Sequence, residues 1–168
     1  MSTQALAQQR IAVGIGQLAI SKDPNAVLVA YGLGSCIGIS AFDPHAGVGA
    51  MVHVLLPASD GKLPDPKEPA RFADVGIPAL LARCIELGAL KARLIVKIAG
   101  GASVLGTANS EKFKIGERNA EAVREHLKRN GLRASVEDLG GTKGRTFELH
   151  LTGGKTFVRT AASQLLEL

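Results

Sequence analysis

Apolar residues gather in short runs through the first third of the chain. IAVGIGQ (11–17), AVLVAY (26–31), SCIGISAF (35–42) and VGAMVHVLLP (48–57) are β-branched or apolar. KDPN (22–25), GLG (32–34) and DPHAG (43–47) punctuate them as turns. The pattern predicts four strands, the last two joined as an antiparallel hairpin through DPHAG. PASDGKLPDPKEPA (57–70) carries four prolines and reads as an exposed loop. Across ARFADVGIPALLARCIELGA (70–89) the period turns helical, with Phe72, Leu80, Leu81, Cys84, Ile85 and Leu87 on the apolar face and Gly88 as the stop. Pro78 is expected in the first turn or at a kink. RLIVKIAGGAS (93–103) predicts a strand running into a glycine turn. GERNAEAVREHLKRNG (116–131) predicts a second helix, with Ala120, Val123 and Leu127 inward. Residues 132–141, 145–154 and 155–162 close the chain as strands. This order fits α+β rather than alternating βαβ units: a single-domain α/β sandwich with a mixed, largely antiparallel β-sheet and two main helices. Residues 1–10 are expected to be a flexible N-terminus and 11–168 the domain.

Composition narrows the function. With 168 residues, 46% hydrophobic and 21% charged, the chain can bury a real core. No tryptophan is present, so Val, Ile, Leu and Ala must build it. A net charge of +5 permits an acidic partner. The basic residues are scattered, however, and the densest cluster, REHLKRNGLR (124–133), reads as a solvated helix face. With one Tyr and five Phe there is little to stack on bases, so no nucleic-acid binding is expected. No apolar stretch approaches the ~18 residues of a membrane span, so no membrane insertion is expected. Two cysteines make no disulfide framework, and the reducing cytoplasm is the expected location.

Cys36 lies in GLGSC (32–36), where glycines allow close approach to the sulfur and backbone N–H groups of Ser35 and Cys36 can face an oxyanion. A thiol with a pKa of ~8.5 needs a base beside it to act as a nucleophile. His53, inside the otherwise apolar MVHVLLP run, is the candidate. A hairpin folded about residue 45 sets the two nearly opposite, the geometry of a thiolate–imidazolium pair. The competing reading, a packing cysteine and a core histidine, fits the spacing equally well. Cys84, in a helical apolar stripe, reads as core. His45, His126 and His150 share no ligand spacing, so no metal is expected. GLGSCIG is GxGxxxG and opens a strand, and no lysine stands in P-loop position after IAGGAS, so no cofactor is expected. Gly34, Phe72 and Ser103 are candidate walls of a substrate groove, with Ser103 in a turn lining the cleft.

Six blocks, GLGSCIGISAFDP, GAMVHVLLP, RFADVGIPAL, KIAGGASV, IGERNAEAVREHL and GGTKGRTFEL, resemble in order and spacing the chemoreceptor glutamine deamidase family, CheD. The resemblance runs from about residue 11 to about residue 160. It implies a fold like that of bacterial toxin deamidases and hydrolysis of glutamine side-chain amides on methyl-accepting chemotaxis receptors. It further implies Cys36 as nucleophile, His53 as base, no cofactor, and a CheC-type phosphatase as a partner. One position departs: where the family usually carries a threonine six residues before the cysteine, this chain has Ala30. That leaves open a catalytically weak or inactive CheD-like binding protein that regulates the phosphatase.

Overall fold

The computed structural model describes residues 7–104 and 111–168, with side chains described from residue 114 onward in the second stretch. Ten strands among these residues form two five-stranded sheets. The first has the order β1 (Gln9–Ala12), β3 (Ala26–Leu33), β8 (Arg145–His150), β9 (Lys155–Thr160), β10 (Leu166–Glu167). The second has the order β2 (Leu18–Ser21), β5 (Val48–Val54), β4 (Ile37–Asp43), β6 (Ile95–Gly100), β7 (Ala134–Leu139). Each sheet holds one parallel pair, β1 with β3 and β6 with β7; every other pairing is antiparallel. The α+β sandwich expected from the sequence is thus present, with its strands divided between two sheets.

The division follows from which strands are buried on both faces. On β4, Ile37, Ile39 and Ala41 pack with Val48, Ala50, Val52 and Val54 of β5 against the two helices, α1 (Ala73–Glu86) and α2 (Glu111–Arg129). Their alternate neighbours face the other way. Phe42 and Met51 pack against Leu28, Ala30, Phe147 and Leu149 of the first sheet. Period-2 alternation with both faces buried produces the unbroken apolar runs seen in the sequence. Helices, second sheet and first sheet therefore stack as three layers.

α1 buries Ile77, Leu80 and Cys84, and Pro78 sits within it on the exposed side, beyond the first turn. α2 begins at Glu111, five residues earlier than its periodicity predicts, and buries Ala120, Val123 and Leu127. Its basic residues lie on the solvated face: Arg124 pairs with Glu137 and Arg129 with Glu125.

The largest departure is at residues 11–17, which the apolar spacing predicts as one strand. Residues 11 and 12 end β1, and 13–17 are the crossover from β1 to β2, one in each sheet. A turn closes there, Gln17 N–H donating to Gly14 O at 2.9 Å and Gly16 adopting a φ of 76°. β1 itself starts at Gln9, two residues inside the stretch expected to be flexible; residues 1–6 lie outside the described residues.

Candidate active site

Cys36 and His53 both lie at the open end of the β4–β5 hairpin. The register pairs Gly38 with His53 and Ile37 with Val54, so Cys36 stands two residues before the partner of His53. Parity puts Cys36, Gly38 and His53 on the same face, turned toward the first sheet. The pair is therefore diagonal rather than directly opposite. The observed register is two residues away from one that would set Cys36 directly opposite His53, and diagonal neighbours remain within side-chain reach. Glycine at position 38 leaves His53 with no side chain facing it across the ladder. A Cβ there would come within 3.0 Å of Phe147.

The turn carrying Cys36 is fixed on three sides. Gly101 N–H donates to Cys36 O at 2.9 Å and Ala102 N–H to Gly34 O at 2.7 Å, so the glycine turn after β6 clasps the loop that carries Cys36. Gly100 makes that clasp possible: a Cβ on it would lie 2.1 Å from Cys36 O, and its φ of 120° excludes other residues. From α2, Asn119 Nδ2 donates to Ser35 O and to Leu55 O, each at 2.9 Å. Nothing in a polar helical sequence marks that asparagine as buried; only its place in the IGERN block singles it out.

The crossover between β1 and β2 is what holds His53. Gly16 N–H donates to His53 O at 2.8 Å and His53 N–H to Gln17 O at 3.1 Å. The His53 ring is 2% exposed at residue level, and its Nδ1 lies 3.0 Å from Val13 O. A carbonyl can only accept, so Nδ1 carries the proton and Nε2 keeps the lone pair. Among the described residues Nε2 has no hydrogen-bond partner. The Val13 carbonyl thus orients the imidazole, with no hydroxyl side chain at position 30. Ala30 is buried in the inter-sheet layer, while Tyr31 is 51% exposed on the opposite side of the strand.

Burial governs the protonation of both groups. Desolvation raises the Cys36 thiol, partly countered by the residue's own backbone N–H facing the sulfur. Desolvation lowers the His53 imidazole, partly countered by its bond to Val13. Both shifts favour the neutral forms of the two side chains.

The three groove candidates occupy different settings. Gly34 lies in the Cys36 turn, 3.5 Å from Val104 at its virtual Cβ. Ser103 continues the clasp, its N–H donating to Gly141 O at 2.9 Å. Phe72 is nearly buried and leads into α1 through a bridge to Leu56. Near it, a cavity of about 400 Å³ runs between the proline-rich loop and α2, lined by Leu56, Pro57, Ala58, Asp60, Ile115 and Arg118. No cluster of metal-ligating residues occurs among the described residues.

Residues 55–160 match the family model described as CheD chemotactic sensory transduction. The chain is 46% identical over 150 residues to the probable chemoreceptor glutamine deamidase CheD of Symbiobacterium thermophilum, covering 89% of this chain and 91% of that one. The chain belongs to the CheD family. It is also 44% identical to the chemoreceptor glutamine deamidase CheD of Thermotoga maritima, over 88% of this chain and 89% of that one. Matches of that extent include residues 36 to 53 wherever they begin, although the family model starts just after His53. The C-terminal domain of CNFy from Yersinia pseudotuberculosis aligns with 95% of this chain and 60% of its own, at 12% identity and a TM-score of 0.42, a likeness too slight to bear on function.

Proposed function

We propose that the chain is a protein-glutamine deamidase of bacterial chemotaxis, converting glutamine side chains on methyl-accepting receptors to glutamate through Cys36. The observation that carries the mechanism is His53 Nδ1 at 3.0 Å from Val13 O, which leaves Nε2 unpartnered on the same sheet face as Cys36. As Cys36 Sγ attacks the glutamine Cδ, His53 Nε2 takes the thiol proton. Backbone N–H groups of Ser35 and Cys36 stabilise the tetrahedral oxyanion. His53 then gives its proton to the leaving nitrogen; the C–N bond breaks, ammonia departs and a thioester remains. Water, deprotonated by His53, attacks the thioester, releasing glutamate and restoring the thiol. No metal or organic cofactor enters these steps.

A glutamine on a long receptor helix requires an open approach. Gly34 lies in the turn that carries Cys36, Ser103 follows the glycine turn that clasps it, and a groove lies between the proline-rich loop and α2. No described helix is long and apolar enough to cross a membrane, and we place the reaction at the receptors' cytoplasmic ends. The second reading, a binding partner of a CheC-type phosphatase with little catalysis of its own, draws on Ala30. The bond from His53 to Val13 weighs against it, because the orienting role is filled.

Incubation with a receptor cytoplasmic domain tests the proposal. Each deamidation replaces NH₂ by OH and adds about one dalton to the receptor. A gain at discrete glutamines is expected. An unchanged receptor, together with a stable complex with a CheC-type phosphatase, would favour the binding reading.

A further inference from the structure

Beyond Ile37 and Val54 the two hairpin strands separate. One more step of the ladder would pair Cys36 with Leu55, but Cys36 O accepts from Gly101 N–H and Leu55 N–H donates to Arg71 O, each at 2.9 Å. The splayed ends are bridged by one side chain from another layer: Asn119 Nδ2 donates to Ser35 O and Leu55 O. Both acceptors are carbonyl oxygens, so the amide nitrogen must face them and both of its N–H groups are used. Asn119 is 0% exposed, so no water competes for those bonds.

Ser35 O and Cys36 N–H belong to the same peptide unit. That unit is planar and trans, so its carbonyl and its N–H point in opposite directions. Holding the carbonyl toward α2 turns the N–H away from α2, to the side where it faces the Cys36 sulfur. We propose that Asn119 is a positioning residue of the deamidation site: its side-chain amide sets the plane of the Ser35–Cys36 peptide and so aims the Cys36 N–H at the oxyanion. This role rests on the reading of Cys36 as the nucleophile. It predicts a selective defect, since acyl transfer builds an oxyanion whereas simple alkylation of the same sulfur does not.

Full-length Asn119→Ala is compared with wild type in two reactions of the same thiol: deamidation of a receptor cytoplasmic domain followed by mass, and alkylation of Cys36 by iodoacetamide. Deamidation kcat is expected to fall about 100-fold, the usual cost of one misplaced oxyanion donor. KM and the alkylation rate are expected to stay within about threefold of wild type. A folded variant that deamidates nearly as wild type overturns the proposal. So does one whose alkylation and deamidation fall by the same factor. Should Asn119→Ala unfold, Asn119→Asp, of the same shape but without the two donors, is judged by the loss of deamidation beyond its loss of alkylation. If neither variant folds, Asn119 is a structural residue only and the proposal fails. Cys36→Ala in the same assay separates the two claims. If it still deamidates, the nucleophile reading is wrong; if it is dead while Asn119→Ala is normal, only the positioning role is lost.

Discussion

The two ends of the β4–β5 hairpin bury ionisable groups in opposite ways. At the turn, the Asp43 side chain is inaccessible to solvent, yet every demand it makes is met. Its carboxylate accepts from the backbone N–H groups of His45, Ala46 and Leu90 and from the Arg93 guanidinium, with Arg93 Nη2 at 2.9 Å. Burial alone would raise its pKa, but these donors outweigh burial and hold the carboxyl well below the usual carboxylate range. At the open end, Cys36 and His53 are also buried but have no charged partner, and both are shifted toward neutrality. The contrast separates architecture from chemistry. A saturated buried charge locks a turn, whereas an unsaturated neutral pair keeps a lone pair and a thiol proton available. The two cysteines repeat the contrast. Cys84 is packed in the helical layer, its thiol pushed up to about 12 by burial and by the nearby Asp43 carboxylate, while Cys36 stands beside a clasped glycine turn.

Removing the base should produce the largest effect. His53→Gln keeps a polar side chain of similar size but cannot cycle a proton, so kcat for receptor deamidation is expected to drop by about 100-fold or more while the chain stays folded. A drop of less than about tenfold would move His53 to the structural end of the comparison. Asp43→Asn should do the reverse. It leaves Arg93 partly buried without its counter-charge, a change that costs about 3–5 kcal/mol when a buried pair is broken. The result should appear as a lower denaturation midpoint, with activity per folded molecule preserved. Because the folded-state pKa of Asp43 is depressed, its contribution to stability is complete above the unfolded value of about 4 and is lost as pH falls toward the folded one.

The pH dependence of kcat/KM should be broader than for an unperturbed pair. Activity needs neutral His53, whose pKa lies below the ordinary histidine value, and a protonated thiol to deliver, whose pKa lies above the ordinary one. The rate is expected to rise with pH below about 6.5 and to stay flat from about 7 to 8.5. A narrow bell within that window would indicate a resting ion pair instead. The smallest effect is expected from Ala30→Thr. With Nδ1 already bonded to Val13 O, an added hydroxyl has no vacant orienting role, and turnover should change by less than about threefold. A larger gain would show that the Val13 carbonyl holds the ring less well than a threonine.

How far the sequence discloses this site depends on how local each contact is. Cys36 and His53 are readable because a hairpin couples nearby positions through a period of two, which fixes the shared face even when the register is misjudged by two. The two-sheet division is not readable, since strands buried on both faces show no alternation to reveal which layer each face meets. Val13 is hidden because IAVGIGQ carries the composition of a strand; only the pull of the two sheets bends it over His53. Asn119 is hidden for a related reason. It lies on a largely polar helix, and its burial arises where residues 35, 55 and 119 converge in space.

The most direct measurement is an acid quench during a single turnover with a receptor glutamine peptide, followed by mapping of any covalent adduct. The expected species is the chain plus the peptide minus ammonia, attached at Cys36, released by hydroxylamine and absent in Cys36→Ala. An adduct mapped to Cys84, or undiminished deamidation by Cys36→Ala, would contradict the assignment of the open hairpin end as the reacting centre.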